Sequence, residues 1–173
     1  MLTSLAFVVF GSMIVEARLA AHHERAQFAR GGVEPPGDVY RLMRVVYPAV
    51  FAVMIGEGAW RGASPPALVW AGAALFVAAK ALKWSAIRAL GPCWTFRVVV
   101  VPDAPLVVSG PYRYLRHPNY VAVVFELLGT ALMAAAVVSG PVALFVFGAL
   151  LKKRMTVEER ALAEAGPARP ARV

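Results

Sequence analysis

A series of apolar runs, each nearly as long as a bilayer is thick, most constrains what this chain can fold into. A helix that crosses the hydrocarbon needs about 20 mostly apolar residues. Its backbone N–H and C=O groups must also be satisfied within the protein. Residues 2–19 form the first such run, 40–60 the second, 65–84 the third and 120–138 the fourth. A fifth begins at Pro141 and stays apolar only to Leu151. Soluble domains are about half apolar and a quarter charged. Here 60% of 173 residues are hydrophobic and 16% are charged. A soluble fold of this size would leave much of that surface in water. The pattern therefore predicts an all-α integral membrane protein of about five transmembrane helices. It reads as a single domain over residues 1–164, with 165–173 a disordered tail.

The opening "MLTSLAFVVFGSMIVEARLA" has its charges after the apolar run, unlike a cleaved signal. It reads as a first membrane helix that is retained. "SGP" at 139–141 marks a turn, and Pro suits a first helical turn. The last two helices are therefore expected to form a hairpin, with the fifth running on as an amphipathic "KKRMTVEERALAEA". The formal net charge is +8, and basic residues favour cytoplasmic loops. That reading is preferred to a nucleic-acid-binding patch. With five spans, the basic segments containing Arg18, Arg25 and Arg30, then Arg88, Arg97, Arg113 and Arg116, then Lys152 and Lys153 share one face. This places the N-terminus outside and the C-terminus in the cytoplasm, most simply of a bacterial inner membrane. Cys93 is the single cysteine, so no internal disulfide forms.

The segment 91–119 differs from an ordinary linker. It has two valine-rich runs separated by "PDAP", an extended or hairpin-like pattern. An ordered loop packed on the helix ends is expected. Within the helices, Glu57 and Glu126 are charges in apolar surroundings, which is costly and points to a partner or cavity. Glu57 also fits a snorkelling residue near a helix end. Arg154 and Glu158 are four residues apart and share a helix face; from spacing alone, an exposed ion pair of little worth is the preferred reading. In "GPYRYLRHPNY", Pro118 disfavours helix at His117 and can start the helix that follows. His117 and Asn119 then sit at a helix N-terminus, a favourable place for a carboxylate or phosphate. The tyrosines and arginines fit a membrane-interface anchor equally well. The adjacent His22 and His23 do not share a helix face, and no metal site is read.

"SGPYRYLRHPNY", a short hairpin and then "RMTVEERAL" together resemble the isoprenylcysteine carboxyl methyltransferase family, whose distant relatives methylate phospholipid amines. The matching motifs lie between about Leu90 and Leu162, in an expected catalytic core of about 90–164. "FARGGVE" with "RHPNYVAVVFE" looks like a bacterial branch associated with alkylpyrones and resorcinols. The resemblance implies S-adenosylmethionine as cofactor, with S-adenosylhomocysteine as product, bound by the loop and the last two helices. Carried over, Val108, Gly110, Tyr112, Arg113, His117, Pro118, Tyr120 and Glu159 would hold the cofactor. Arg154, Glu158 and Glu126 would be catalytic, acting on an oxygen of a lipophilic small molecule that enters from the bilayer lipids. The chain departs from the family in its tail, "LAEAGPARPARV", which lacks the aromatic Phe-Gly-x-x-Tyr-like segment. Phospholipid N-methylation is the second enzymatic expectation. A membrane scaffold or transporter subunit, with Glu57, Glu126 and Arg154 as a buried network, is the non-enzymatic one.

Overall fold

The computed structural model describes residues 1–62, 64–102 and 107–164. Five α-helices run through them: α1 (Leu2–Ala29), α2 (Tyr40–Arg61), α3 (Pro66–Leu90), α4 (Pro118–Ala134) and α5 (Ser139–Glu164). Single 3₁₀ turns at Gly91–Cys93 and Gly110–Arg113 lie between α3 and α4. Three helices, α1 to α3, are long and apolar enough to cross a membrane. Helix α4 is apolar but has 17 residues. Helix α5 turns charged at Lys152. The described residues thus show three spanning candidates by length and composition, followed by the α4–α5 hairpin, rather than five equal spans.

Several boundaries differ from those expected. Helix α1 continues ten residues past Leu19, because its last turns have a polar partner: Gln27 donates to the Pro92 carbonyl at 2.8 Å. Helix α4 starts at Pro118, which has no N–H to lose. It ends at Ala134, where Ala135 takes a left-handed φ of 50°. Helix α5 then starts two residues before Pro141. Its first turn is capped from another helix: Glu57 of α2 accepts hydrogen bonds from the Ser139 N–H (2.7 Å) and the Val138 N–H (3.1 Å). A carboxylate at that position also meets the positive end of the helix dipole. Glu57, placed between snorkelling and function by sequence, is a cap.

Helices α3 and α4 pack closely because glycines face each other. A Cβ on Gly129 would lie 2.8 Å from the Gly72 carbonyl oxygen, and one on Gly72 would lie 2.6 Å from that of Gly129. Small residues of this kind let membrane helices approach backbone to backbone. Gly58 of α2 is equally tight against the Ala134 carbonyl oxygen. The apolar core between the helices includes Phe51, Met54, Phe76, Leu127 and Phe147.

Four charged side chains are set into this core. Lys83 (α3) donates to Glu126 (α4) at 2.8 Å and to Glu16 (α1) at 3.2 Å. Lys80 (α3) donates to Glu16 at 2.7 Å and lies 3.3 Å from Glu126. The Tyr47 hydroxyl (α2) donates to Glu126 at 2.5 Å. Two carboxylates and two ammonium groups balance in charge, and both carboxylates are 1% exposed. Four helices are tied to one point.

The loops meet at one end of the bundle. The valine-rich segment forms no hairpin among the described residues. Val100 instead makes a single antiparallel bridge to Val33, in the α1–α2 connection. Residues 103–106, which include most of "PDAP", and the expected tail at 165–173 fall outside the described residues.

Removing one member of a buried, balanced ion set leaves an uncompensated charge, at a cost of about 3–5 kcal/mol. Glu126→Ala should therefore lower the unfolding midpoint in detergent strongly, as read by thermal denaturation. A midpoint close to the native value would contradict the tetrad's role.

Candidate functional site

The residues read from "RHPNY" and "RMTVEER" come together where α4 begins and α5 leaves the bundle. The His117–Pro118 pair starts α4, and His117 is its N-cap, with φ −130° and ψ 62° outside the helical region. One turn of α4 brings Tyr120 beneath His117, their rings stacked with centroids 5.2 Å apart and planes 14° apart. The Tyr120 hydroxyl donates to Glu158 at 2.5 Å and accepts from Arg154 Nε at 3.0 Å. His117 Nε2 lies 3.2 Å from a Glu159 oxygen. Arg154 and Glu158 thus do share a helix face, but they do not pair directly. Tyr120 stands between them.

Asp38, which the sequence reading missed, completes the cluster. Its carboxylate is 1% exposed and accepts from Arg154 Nη1 at 3.1 Å. It also accepts from the Tyr40 N–H at the start of α2 (3.0 Å) and from the Val98 N–H in the α3–α4 connection (2.8 Å). One side chain therefore joins both long loops to α5. Its signal in the sequence is an Asp two residues ahead of a helix start, a common local hydrogen-bonding position. Nearby, Arg97 of the α3–α4 connection lies 2.7 Å from Glu34 in the α1–α2 connection and 3.4 Å from Glu24 on α1.

The remaining sequence candidates fall around this cluster or away from it. Gly110 has φ +58°, a conformation that favours glycine. It begins the 3₁₀ turn that carries Tyr112 and packs against Ala89 of α3. Burial, and after it the charge of Glu158, pushes the Tyr112 phenol above its ordinary range. Pro118 is buried. Val108 is exposed. Arg113 is exposed and lies over the Tyr114 ring at 5.9 Å. Among the described residues it makes no ion pair with the cluster. Glu126 is not in this site: its carboxylate is held in the tetrad, about 12 Å along α4 from Pro118 by helical rise. Among the described residues no group of three His, Cys, Asp or Glu is placed to hold a metal.

The first turn of α4 leaves polar capacity open. Tyr120 and Val121 N–H both donate to the His117 carbonyl, at 3.1 and 3.2 Å. The Asn119 N–H, in the first turn, stays outside the backbone ladder. Asn119 Oδ1 is buried without a hydrogen-bond partner. Beside the cluster, an apolar groove of about 410 Å³ runs between α4 and α5, with His117 and Tyr120 on its wall.

The fold and site define a helical membrane-type bundle with an ion-paired polar cluster at one end and an apolar groove leading to it. Residues 72–164 match the isoprenylcysteine carboxyl methyltransferase (ICMT) family, and the chain belongs to that family. It is 31% identical over 152 residues to the uncharacterized protein YpbQ of Bacillus subtilis, covering 86% of this chain and 89% of that one. An uncharacterized protein of Haemophilus influenzae is 26% identical over 150 residues, covering 86% and 87%. No solved structure matches the chain.

Asp38→Ala should remove three accepted hydrogen bonds and leave Arg154 without its buried partner, costing about 3 kcal/mol. Hydrogen exchange of the Val98 amide should accelerate along with the loss of stability. An unchanged Val98 amide would show that Asp38 does not bind the loops.

Proposed function

We propose that this protein is an S-adenosylmethionine-dependent O-methyltransferase for a lipophilic small molecule. The observation that carries the reading is the connected set Asp38–Arg154–Tyr120–Glu158, with His117 and Glu159 beside it, at the head of an apolar groove. The basic residues at the site end support a cytoplasmic side for it, with the N-terminus outside, in a bacterial inner membrane.

The residues fit the cofactor's chemistry. Glu159, 53% exposed, offers a carboxylate suited to the cofactor's cationic groups. His117 and the Asn119 N–H at the start of α4 suit its carboxylate. The buried, unpartnered Asn119 Oδ1 is an acceptor awaiting a donor. Gly110, Tyr112 and Pro118 would shape the pocket, with Val108 and Arg113 at its edge. When bound, the cofactor supplies an electrophilic methyl group.

The chain's own groups then divide the work. Methyl transfer depends on positioning and on a desolvated nucleophile. The apolar groove excludes water from the acceptor. Arg154 is fixed by Asp38 and Tyr120, so it reaches the acceptor oxygen without having to reorganise. Its charge is already met by Asp38, which favours an acceptor that arrives neutral, a hydroxyl rather than a carboxylate. Such an oxygen needs a base. Glu158, held by the Tyr120 hydroxyl, takes the acceptor's proton as the O–CH₃ bond forms. General-base catalysis contributes about 10²–10⁴-fold, and Glu158→Gln should lose rate in that range.

A ligand at 100 times its dissociation constant stabilises a protein by about 2.7 kcal/mol. S-adenosylhomocysteine should therefore raise the thermal midpoint of the purified native protein, and His117→Ala should abolish that rise. No rise in the native protein would contradict the reading and favour a scaffold. Base treatment of the methylated product separates acceptors: an ester releases methanol, whereas an ether or a phospholipid methylamine does not. Mass analysis then distinguishes the last two.

A further inference from the structure

The α4–α5 groove is a wedge, and one residue accounts for its opening. At the hairpin turn the helices touch: a Cβ on Gly140 would come within 2.8 Å of the Ala131 Cβ. Two turns further along α5, a Cβ on Gly148 would meet nothing within 4 Å. At the far end the Tyr120, Arg154 and Glu158 side chains bridge the pair. Between these points lies the 410 Å³ groove, walled by Val121, Val124 and Phe125 of α4 and by Leu151 and Met155 of α5. Its polar end holds His117, Tyr120 and Lys152.

Gly148 has no structural reason to be glycine. Its φ is not in the left-handed range, and no neighbour crowds its Cβ. Glycine inside a helix costs about 1 kcal/mol relative to Ala. Gly11 and Gly56 are also open, but neither lies on α4 or α5. What distinguishes Gly148 is the space in front of it, continuous with the reaction cluster.

The geometry points to Gly148 as the residue that sets which acceptors the enzyme takes: those whose apolar tail is a slender chain, laid from Tyr120 toward the hairpin turn. This inference rests on the proposed methyl transfer. The occupant is the acceptor's tail rather than a bilayer lipid, because the groove is walled by His117 and Tyr120 of the reaction cluster itself. Entry is sideways from the hydrocarbon. A larger side chain at 148 would fill the wedge midway and reject long tails while leaving the cofactor's polar contacts in place.

The test uses 4-dodecylphenol carrying a terminal diazirine as a photolabel, on full-length protein in detergent–lipid micelles. Labelling should map to α4 and α5 peptides, including Val124 and Phe125, and unlabelled dodecylphenol should compete. A misplaced methylene in a pocket is worth about 10–200-fold, so Gly148→Leu should lower that labelling by about tenfold or more. Gly148→Ala should give an intermediate loss, and it serves if the Leu variant does not fold. The midpoint rise with S-adenosylhomocysteine should survive both changes. Labelling spread evenly over the lipid-facing helices, or unaltered in both variants, overturns the inference. So does labelling displaced by phosphatidylglycerol but not by dodecylphenol, which would make a bilayer lipid the occupant. Absence of the midpoint rise in native protein counts against the proposed methyl transfer instead, and the labelling pattern is read independently of it.

Discussion

The bundle depends on the ion tetrad of Glu16, Lys80, Lys83 and Glu126. Charges in a low-dielectric interior are tolerated only when they are balanced and hydrogen-bonded. Here two carboxylates face two ammonium groups, and Tyr47 supplies one further donor. The need for each charge to meet its partners links α1, α2, α3 and α4 at a shared depth. Apolar packing alone would leave helix rotation and register less specified, since lipid is as apolar as the helix faces. Glycine contacts between α3 and α4 then bring backbones close enough for Lys83 and Glu126 to meet. The tyrosine ring extends the arrangement to α5, with its centroid 5.0 Å from that of Phe147.

The polar cluster is built on that foundation from a different set of contacts. Glu57 caps α5 at the hairpin end, and Asp38 grips Arg154 at the other. Helix α5 is therefore held at both ends by carboxylates from other segments. Tyr120 sits on the first turn of α4, a helix whose later turns are locked by Glu126. The polar cluster can then be partly exposed and still ordered. In the proposed function, its proximity to an apolar groove would bring a water-borne cofactor and a hydrocarbon-borne acceptor to one place.

Much of this was legible in the sequence, though unevenly. The apolar runs gave the helices, and the α4–α5 hairpin followed from "SGP". The pairing of "RHPNY" with "RMTVEER" pointed to the family and to the cluster of His117, Tyr120, Arg154, Glu158 and Glu159. Glu126 was visible as a charge in apolar surroundings, read as functional or as part of a buried network, and it stands in the ion tetrad; its partners were not legible. Helical spacing says which face a residue occupies and nothing about which helix lies opposite. Lys80 and Lys83 lie near the end of an apolar run, and no local pattern shows which carboxylates they meet. Asp38 stood in "EPPGD", where an acidic residue reads as ordinary turn chemistry. Its partner lies 116 positions away, a separation no local pattern encodes. Gly148 carried no signal either, since its meaning lies in the space beside it.

The central claim is that the polar cluster and the groove together transfer a methyl group to a lipophilic oxygen. The most direct measurement incubates the purified protein with a bacterial lipid extract and S-adenosylmethionine bearing a deuterated methyl group, followed by mass spectrometry. The account predicts a deuteromethylated, base-stable product that partitions with the lipids and is lost with Glu158→Gln. A lipid extract without any deuterated product, from protein that binds S-adenosylhomocysteine, would contradict it.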